Sequence, residues 1–416
     1  AGETSETTIK TLGAYIKYVR LGDMKDGKTV LIGEGDLDVA KLIGALSSLN
    51  YEGFICASWN DEINDADIVL THFTNYIASL GRDKKVFDSA YYNRDKTGTF
   101  VWKKYDVIAL GELLIDFINN GKSEQGNNTF EACPGGAICN VLAMLAKLGK
   151  NCAFIGKVGD DIFGRRLKAE IEQLSINTEN LKMDKGVRTT LAFVENDETG
   201  DRNFSFYRNP GADIMLTADE VNEEEIKSAK VFHLGTLSMT HEPVRTATKK
   251  ALEAAKKNGC IISFDPNLRE MLWDSETEAK EAFDHGMRYC DILKISDNEL
   301  TWFTGEENYD KGIAILQEKY NIPLILFSMG RDGSRAYYGD DMFEAKAFIQ
   351  NDTVDTTGAG DTFMGCCINH VLENGFNNIS EMLRFANAAA SIVTTRKGAL
   401  KAMPTETEIM ALLNLK

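Results

Sequence analysis

The stretch Asp355-Thr356-Thr357-Gly358-Ala359-Gly360-Asp361 joins a glycine-rich turn to a carboxylate, and the helix-compatible segment Thr362–Leu372 follows it directly. Free N–H groups at the start of a helix attract anions, and glycine lets a phosphate approach the backbone closely. A carboxylate beside such a site can accept the proton of a hydroxyl group that attacks phosphorus. The stretch therefore predicts a phosphoryl-transfer site, although a simple capped turn has the same local pattern. The rest of the chain distinguishes the two.

Short apolar runs and amphipathic segments alternate from Tyr105 onward. The apolar runs predict buried strands at Val107–Gly111, Cys152–Val158, Val231–Leu234, Cys260–Phe264, Ile292–Ile295 and Pro323–Phe327. The amphipathic segments predict helices at Ala137–Leu148, Phe163–Leu174, Pro243–Asn258, Glu276–Arg288 and Lys311–Tyr320. Such alternation is typical of βαβ units, so we expect an α/β fold with a mostly parallel sheet sandwiched by helices.

Three further segments show strand-like alternation, and they interrupt the βαβ pattern. They lie near Leu113–Ile118, Thr189–Glu195 and Asn203–Tyr207. Because they fall between the predicted βαβ units, we expect them to form a small separate sheet, a β lid.

The composition is that of an acidic globular protein. Of 416 residues, 43% are hydrophobic and 26% are charged, and the formal net charge is −17. This charge repels polyanions, so we expect neither nucleic acid nor an anionic membrane as a partner. No apolar run approaches the roughly 20 residues of a transmembrane helix, and no secretory signal pattern is seen. The eight cysteines lack Cys-x-x-Cys spacing. They are therefore interpreted as free thiols of a cytoplasmic protein, and a zinc site is not expected.

Several motifs resemble, in their order, the ribokinase-type carbohydrate kinases (the PfkB family) over residues 105–416, and its fructokinase members most closely. These motifs include Gly111-Glu112-Leu113-Leu114-Ile115-Asp116, Pro134-Gly135-Gly136-Ala137, Phe264-Asp265-Pro266-Asn267 and the glycine-rich stretch above. The resemblance implies a ribokinase-like fold with lid segments near 113–118 and 189–213. It also implies a small-molecule sugar and ATP as ligands, with Mg²⁺ and, as a candidate, K⁺. Exposed lid edges make a homodimer a candidate assembly.

The resemblance places the sugar-binding residues at strand ends and in the lid. Asp116 ends the first predicted strand of the family pattern, where a carboxylate can accept hydrogen bonds from two vicinal hydroxyls. The segment Tyr207-Arg208-Asn209-Pro210 is typical of fructokinases, and Arg208 would contact the sugar or balance phosphate charge. For Phe163 a place in the core is an equal alternative. The sugar contacts that the resemblance implies are Asp116, Gly135, Gly136, Asn140, Phe163, Asn209, Asp265 and Asn267.

The nucleotide-binding residues that the resemblance implies lie later in the chain. The turn Ser328-Met329-Gly330-Arg331-Asp332-Gly333 is similar to the family turn beside the ATP phosphates and ribose. Asn387, on the predicted helix Ile379–Thr395, and the pair Lys397-Gly398 match positions near adenine. The pattern Gly-x-x-x-x-Gly-Lys-Ser/Thr does not occur in the sequence, which excludes a Walker-type phosphate loop.

The resemblance also implies two cation sites. Glu299 corresponds to the family carboxylate that holds magnesium through water, whereas Ser296 stands where the family usually has asparagine. Magnesium keeps most of its waters, so one such carboxylate is sufficient. Asp355 and Thr357 would bind the monovalent cation.

The expected reaction is in-line transfer of the ATP γ-phosphoryl group to the O6 hydroxyl of fructose. Asp361 would act as the general base, and the N–H groups of Gly358, Ala359 and Gly360 would hold the developing charge. A 2-keto-3-deoxygluconate kinase is the alternative enzyme, because it shares the Asp-Pro-Asn and Gly-Ala-Gly-Asp motifs. A catalytically inactive kinase-like scaffold is the alternative from another class, and the intact Asp361 argues against it.

Residues 1–80 have a different pattern, and a polar linker at 81–104 follows them. They predict strands at Tyr15–Asp23 and Ile55–Trp59 and helices at Leu37–Leu49 and His72–Leu80, with Gly33-Glu34-Gly35-Asp36 in the first loop. This resembles the last two βα units of sugar-phosphate isomerases/epimerases with a xylose-isomerase-like barrel. Arg20 and Ser58 stand where a histidine and a metal-binding glutamate are expected. Two units cannot close an eight-stranded barrel, so we expect a partial (βα) barrel fragment without isomerase activity.

Overall fold

The computed structural model describes residues 18–21, 23–25, 28–30, 35–37, 54–57, 103–196 and 202–415. The chain divides into two compact units, Ala1–Ser89 and Ala90–Lys416. This division falls inside the predicted linker 81–104. Along the described parts of the chain, no helix is long and apolar enough to cross a membrane.

The first unit is described only in short strands. These are β1 (Tyr18–Leu21), β2 (Asp23–Lys25), β3 (Lys28–Val30) and β4 (Phe54–Ala57). Strands β1 and β4 pair in parallel, and β2 and β3 form an antiparallel pair. The parallel pair overlaps the two predicted strands, and a parallel pair requires a crossover connection.

The other predictions for the first unit fall mostly outside the described residues. These are the helices Leu37–Leu49 and His72–Leu80, the loop residues Gly33 and Glu34, and Ser58. The likeness of this unit to an isomerase therefore stays a prediction.

The second unit is built from strands and helices in alternation. Its strands are β5 (Tyr105–Leu110), β6 (Leu114–Lys122), β7 (Asn128–Gly135), β8 (Cys152–Gly159), β9 (Ile176–Asn177), β10 (Leu181–Asp184), β11 (Leu191–Asn196), β12 (Arg202–Tyr207), β13 (Ala229–Leu234), β14 (Ile261–Phe264), β15 (Ile292–Ser296), β16 (Leu324–Ser328), β17 (Ser334–Tyr338) and β18 (Asp341–Ala345). Its helices are α1 (Ala137–Lys147), α2 (Ile162–Gln173), α3 (Glu223–Lys227), α4 (Val244–Lys257), α5 (Glu276–Met287), α6 (Asp297–Thr304), α7 (Tyr309–Tyr320), α8 (Ala359–Asn374), α9 (Ile379–Val393) and α10 (Glu406–Leu415).

The main sheet has the strand order β10-β8-β5-β13-β14-β15-β16-β17-β18, with β9 paired to β8. The pairs from β10 to β16 are parallel, and the last two pairs are antiparallel. The predicted parallel sheet is therefore confirmed. Parallel strands place their carboxyl ends along one edge, where α/β folds collect ligands.

Both faces of this sheet are buried, which explains the continuous apolar runs of its strands. In β13, Val231 packs in the core on one face, while its neighbour Phe232 packs in the core on the other. Helices α1, α8 and α9 contribute to the first core, with Leu142 and Met364 among its residues. Helices α4, α5 and α7 contribute to the second core, in which Phe283 is fully buried. The predicted sandwich of helices around a sheet is confirmed.

A separate four-stranded sheet forms the predicted lid, in the order β12-β11-β6-β7. Strands β11 and β6 are parallel, and the two outer pairs are antiparallel. Strand β7 was not predicted, because its sequence leads directly into the glycine pair Gly135-Gly136, which is typical of a turn before a helix. Aromatic rings connect the lid strands: Phe193 stacks on Phe117 with ring centroids 4.9 Å apart, and Phe130 meets Phe193 edge-on.

Candidate active site

A cavity of about 200 Å³ lies at the carboxyl ends of the strands in the second unit. Strand β15 contributes Lys294, the segment after β14 contributes Asn267, and the lid contributes Asp116 and Phe206. The polar groups that line the cavity are Glu112, Asp116, Asn140, Asn267, Arg269, Lys294, Thr356, Thr357 and Asp361. The structure therefore brings together residues that are separated by more than half of the chain.

The glycine-rich stretch forms the start of α8 on the wall of this cavity. Gly358 is the residue before the helix and has φ 80°, a left-handed conformation that suits glycine. A Cβ at this position would also lie 2.7 Å from the Cβ of Ala399. The helix begins at Ala359 rather than at the predicted Thr362, so that Gly360 and Asp361 lie in its first turn. The N–H of Thr362 donates to the Gly358 carbonyl at 2.8 Å, and the earlier N–H groups lie at the helix terminus.

One of the three predicted anion donors is engaged within the turn. The N–H of Ala359 donates to the Thr356 carbonyl oxygen at 3.3 Å. This is a long hydrogen bond, which an incoming phosphate oxygen can replace. Gly358, Ala359 and Gly360 as anion donors remain a prediction that the helix start supports.

Asp361 is held by a hydrogen bond from the opposite wall of the cavity. Asn140, on α1, donates from Nδ2 to Oδ2 of Asp361 at 2.7 Å. The Oδ1 atom of Asn140 is buried and has no hydrogen-bond partner within the described residues. Burial raises the pKa of Asp361, while the bond from Asn140 and the charges of Lys294 and Arg269 oppose that rise. Asn140 thus orients the predicted base and presents an unused acceptor beside it.

The Gly135-Gly136 pair lets α1 begin close to the strand-end segment 112–116. Gly136 has φ +117°, and a Cβ there would overlap the carbonyl oxygen of Glu112. A Cβ on Gly135 would overlap the carboxyl group of Asp116. Asp116 and both glycines therefore lie together, as the resemblance implied, and Asp116 and Gly136 line the cavity.

Glu112 is a cavity residue that the sequence analysis did not single out. Its Oε1 accepts the N–H of Ala137, the first residue of α1, at 2.6 Å. Burial raises the pKa of Glu112 to about 7. Its place directly after Gly111, at the end of a buried strand, is the signal that could have identified it.

Lys294 is the second cavity residue that was missed. Its side chain is almost fully buried, and Nζ lies 2.9 Å from Oδ2 and 3.1 Å from Oδ1 of Asp265. Burial alone would lower the pKa of Lys294, but the charges of Asp265, Glu299 and Asp361 raise it above its ordinary value. The amine therefore stays protonated. A single lysine within an apolar strand, Ile292–Ser296, was the available signal.

Asp265 and Asn267 were predicted together but lie in different surroundings. Asn267 has φ +49° and lines the cavity. Asp265 is buried beside Lys294 and is not part of the cavity wall. Direct contact of Asp265 with a sugar therefore has no support from its position.

Glu299 caps a helix and joins it to the segment after β14. Its Oε2 accepts the N–H and the hydroxyl of Ser296, at 2.9 and 2.7 Å, and its Oε1 accepts the N–H of Leu268 at 2.8 Å. Ser296 and Glu299 thus form a capping box at the start of α6, which gives the unexpected serine a structural role. A carboxylate offers about four acceptor positions, so Glu299 can still accept a hydrogen bond from one metal-bound water. Within residues 103–196 and 202–415, no three metal-binding side chains cluster.

A second cavity, of about 230 Å³, lies on the other side of the glycine-rich turn. Thr356 lines both cavities, and Ala359 lines the second. Its wall combines apolar and polar groups: Ala347, Phe348, Ile349, Ala390, Asn387 and Thr394. An apolar slot with a few polar groups is suited to a nucleoside.

The predicted nucleotide residues divide between this cavity and its surroundings. Gly330 and Asn387 line it. The Asn387 side chain accepts from Ser334 at 3.0 Å and donates to the Ala345 carbonyl at 3.1 Å, so it also holds the wall together. Ser328 ends β16 and Gly333 lies in the turn before β17, and neither residue lines this cavity.

Lys397 and Gly398 lie away from the second cavity. Lys397 donates to the Asn120 side chain of the lid at 2.8 Å. The N–H of Gly398 donates to Oδ2 of Asp355 at 3.1 Å, while Oδ1 of Asp355 accepts the N–H and hydroxyl of Thr357 at 2.9 and 2.7 Å. Asp355 therefore ties the glycine-rich turn to the loop after α9.

Arg208, Asn209 and Phe163 are not brought to the sugar cavity. The Arg208 guanidinium is buried, with two nitrogens at 2.6 and 2.8 Å from Oδ2 of Asp213. It also donates to Thr240 and to the Leu237 carbonyl, at 3.1 and 2.9 Å. The predicted contact of Arg208 with substrate has no support from this position, because its donors hold the segment after the lid strand β12 to the segment after β13.

The other two residues lie in different places. Asn209 is exposed and precedes Pro210 through a cis peptide bond. The ring of Phe163 meets the lid residue Phe117 edge-on, with centroids 5.7 Å apart, and packs against the first core. For Phe163 the core alternative therefore has the better support.

A larger cavity, of about 590 Å³, lies elsewhere, among α4, α5, α6 and α7. Two pairs of its charged groups bind each other: Arg245 lies 3.0 Å from Glu278, and Lys319 lies 2.8 Å from Asp284. No glycine-rich helix start lies among its lining residues. The chemistry therefore points to the smaller pair of cavities beside Asp361.

Comparison with known proteins identifies the same region. The family described as pfkB family carbohydrate kinase matches residues 104–406. A probable fructokinase-2 of Arabidopsis thaliana is 42% identical over 317 residues, which cover 74% of this chain and 96% of the relative.

Two solved structures share the fold. A fructokinase double mutant from Vibrio cholerae O395, in a form that binds fructose, ADP and potassium ion, is 28% identical with a TM-score of 0.68, and the match covers 74% of this chain and 98% of that one. A putative ribokinase II from E. coli, in complex with ATP and Mg²⁺, is 26% identical with a TM-score of 0.68, and the match covers 75% of this chain and all of that one. The fold is thus ribokinase-like, and the chain belongs to the pfkB family of carbohydrate kinases.

Proposed function

We propose that the protein is a fructokinase, which transfers the γ-phosphoryl group of ATP to the O6 hydroxyl of fructose. The observation that carries this proposal is that Asp361 lines the first cavity, while the start of α8 contributes residues to both cavities, which share Thr356. One cavity has the polar wall of a sugar site, and the other has the mixed wall of a nucleoside site. The relatives named as fructokinases support fructose as the sugar.

In this reaction, Asp361 accepts the proton of the O6 hydroxyl as the O6–phosphorus bond forms. The bond from phosphorus to the oxygen of the leaving ADP breaks in the same in-line displacement. The N–H groups at residues 358–360 hold the charge of the transferred group. Asn140 keeps the carboxylate of Asp361 oriented through its 2.7 Å hydrogen bond.

The sugar itself is proposed to bind through the polar groups of the smaller cavity. Asp116 accepts hydroxyl hydrogen bonds, Asn267 and the glycine pair contact the ring, and Oδ1 of Asn140 takes a further hydroxyl. The wall of this cavity, of about 200 Å³, holds three carboxyl groups, on Glu112, Asp116 and Asp361, against the two cations of Arg269 and Lys294. This excess of carboxyl groups favours a neutral ketose over an acid such as 2-keto-3-deoxygluconate.

The proposed cofactors are ATP and Mg²⁺, with K⁺ as the monovalent cation. Magnesium, bound with the nucleotide, neutralises phosphate charge. Glu299 has the remaining acceptor position to bind one water of the ion, and Asp355 with Thr357 are the proposed K⁺ residues. A second copy of the chain is the proposed partner, because β12 and β7 lie at the edges of the lid sheet. The cytoplasm is the proposed location.

The test is product analysis after incubation with ATP and Mg²⁺. The panel contains fructose, ribose, tagatose and 2-keto-3-deoxygluconate, and phosphorus NMR identifies which hydroxyl carries the phosphate. We expect fructose to give the highest kcat/KM and fructose 6-phosphate to be the product. A preference for the acid would support the alternative kinase, and no product from any sugar would support the inactive scaffold.

A further inference from the structure

Lys294 brings a buried positive charge to the reacting end of the sugar cavity. It lies on β15, near the middle of the main sheet, and its relative exposure is 7%. Its ammonium bridges both carboxylate oxygens of Asp265, at 2.9 and 3.1 Å, and the same side chain lines the cavity. A lysine that served only the fold would not need to reach this wall.

The ammonium also stands against the first turn of α8. A Cβ at Gly360 would lie 3.2 Å from Nζ and 3.6 Å from Cε of Lys294. Glycine at 360 therefore leaves a gap between the helix start and the lysine. Helix N–H groups and a lysine on two sides of one gap form a site for a phosphoryl group.

The charges around the gap favour a role in transfer over a role in the fold. Asp265, Glu299 and Asp361 all act electrostatically on Lys294. An ammonium has three N–H donors, and Asp265 lies on one side of it. A donor that Asp265 does not take can bind an oxygen of a phosphate in the gap beside Gly360.

We propose that Lys294 is a catalytic residue that donates hydrogen bonds to the phosphoryl group in transfer, and that Asp265 is the positioning residue that holds it. This rests on the proposed kinase function. It gives Asp265 a role that fits its place behind the cavity wall. Removal of Lys294 then weakens binding of the γ-phosphate and of the transition state, while sugar binding is preserved.

The central variant is Lys294→Met, with kcat, both KM values and the affinities for ATP and ADP measured on the full chain. We expect kcat to fall by about 10²-fold or more, as for the loss of one oxyanion-hole donor. The KM for fructose should change little. ATP should lose more affinity than ADP, because only ATP carries the γ-phosphate.

Lys157→Met is the matched control. Lys157 is equally buried and paired, with Nζ 2.7 Å from Glu220, but it lines neither cavity. We expect it to keep the wild-type kcat and the wild-type preference for ATP over ADP. An equal loss of kcat in the two variants would overturn the proposal.

Lys294→Met leaves Asp265 buried without a partner, so the folded fraction is measured by thermal unfolding. If that variant is unfolded, the double variant Lys294→Met/Asp265→Leu is measured instead, because it removes both members of the ion pair. Wild-type kcat in the folded variant, or parallel losses for ATP and ADP, would contradict the role of Lys294. If the wild-type protein phosphorylates no sugar, the proposed function is overturned. The affinities of wild type and variant for ATP and ADP would then still test the role of Lys294 separately.

Discussion

At the scale of single residues, the account depends on how Asp361 is held in its ionised form. Burial favours the neutral acid, whereas the hydrogen bond from Asn140 and the positive charges of Lys294 and Arg269 favour the carboxylate. The net result is a pKa above the ordinary aspartate value of about 3.9. The carboxylate is the form that can accept a proton from the sugar, so the hydrogen bond from Asn140 and the two positive charges favour the active form.

The first prediction concerns the pH dependence of kcat/KM. The active form is the carboxylate, so activity should be lost as the pH falls through the raised pKa of Asp361. Asn140→Ala removes a bond to the ionised form, which raises this pKa further and moves the acid limb to higher pH. A profile recorded at subsaturating fructose measures the shift. An acid limb that stays at the wild-type pH in Asn140→Ala would contradict the role of Asn140.

The candidate site was predictable from the sequence where a residue sits in a local motif. Asp361, Gly136 and Asn140 belong to glycine-flanked helix starts, and all three lie on the cavity. Glu112 and Lys294 were missed, since each stands in or directly after an apolar strand whose pattern indicates only burial. Arg208 was placed with the substrate because of its motif, although its buried partner Asp213 lies only five residues later. Its hydrogen bonds to Thr240 and to the Leu237 carbonyl span 32 and 29 residues, and such long-range pairing is not visible in local sequence.

At the scale of elements, the start of α1 links the fold to the site. Gly136 has φ +117°, and its missing side chain lets Glu112 lie against the helix start. The N–H of Ala137 is bound by Glu112, and Asn140 follows one turn later. A shift of this helix start therefore moves the residue that orients Asp361.

The second prediction is that Gly136→Ala lowers both stability and activity. The new Cβ overlaps the carbonyl oxygen of Glu112 and the conformation is strained, so we expect a loss of about 1–3 kcal/mol in the free energy of unfolding. The kcat should fall as well. Gly149→Ala is the control, because Gly149 has φ +79° but nothing lies within 4 Å of its added Cβ. Urea unfolding and steady-state assays compare the two, and equal kcat values in both variants would be inconsistent with the account.

The third prediction concerns the anchor of the lid. Arg208→Met leaves Asp213 buried without its ion pair, and breaking a buried pair costs about 3–5 kcal/mol. We expect a matching loss of unfolding free energy and a higher KM for fructose, because the lid is no longer fixed to the main sheet. Arg208→Met/Asp213→Leu should recover part of the stability. A single variant as stable as the wild type would show that the pair does not anchor the lid.

At the scale of the whole molecule, the fold of the second unit was predictable because its strands are buried on both faces. Runs such as Val231–Leu234 have no alternation and are recognised as buried parallel strands. Strands β17 and β18 were missed, since they form an antiparallel edge with polar residues such as Arg335 and Glu344 on it. The first unit was assigned by resemblance alone, and most of its residues lie outside the described part of the chain.

The fourth prediction is that residues 101–416 of the second unit carry the activity by themselves. Among the described residues, all those that line the two cavities or belong to the two buried cores lie after residue 103. A chain that begins at Val101 should therefore phosphorylate fructose with the kcat and KM of the full chain. Steady-state assays on both proteins, with unfolding curves as the control for folding, make the comparison. Loss of activity in a folded shortened chain would assign a functional role to residues 1–100.

The most direct test of the central claim is the turnover of Asp361→Asn with fructose and ATP. Asparagine keeps the size of the side chain but cannot accept the hydroxyl proton. The account predicts a kcat lower by at least about 10²-fold, with the KM values for both substrates little changed. Turnover close to that of the wild type would mean that another group removes the proton, and the assignment of the site would be wrong.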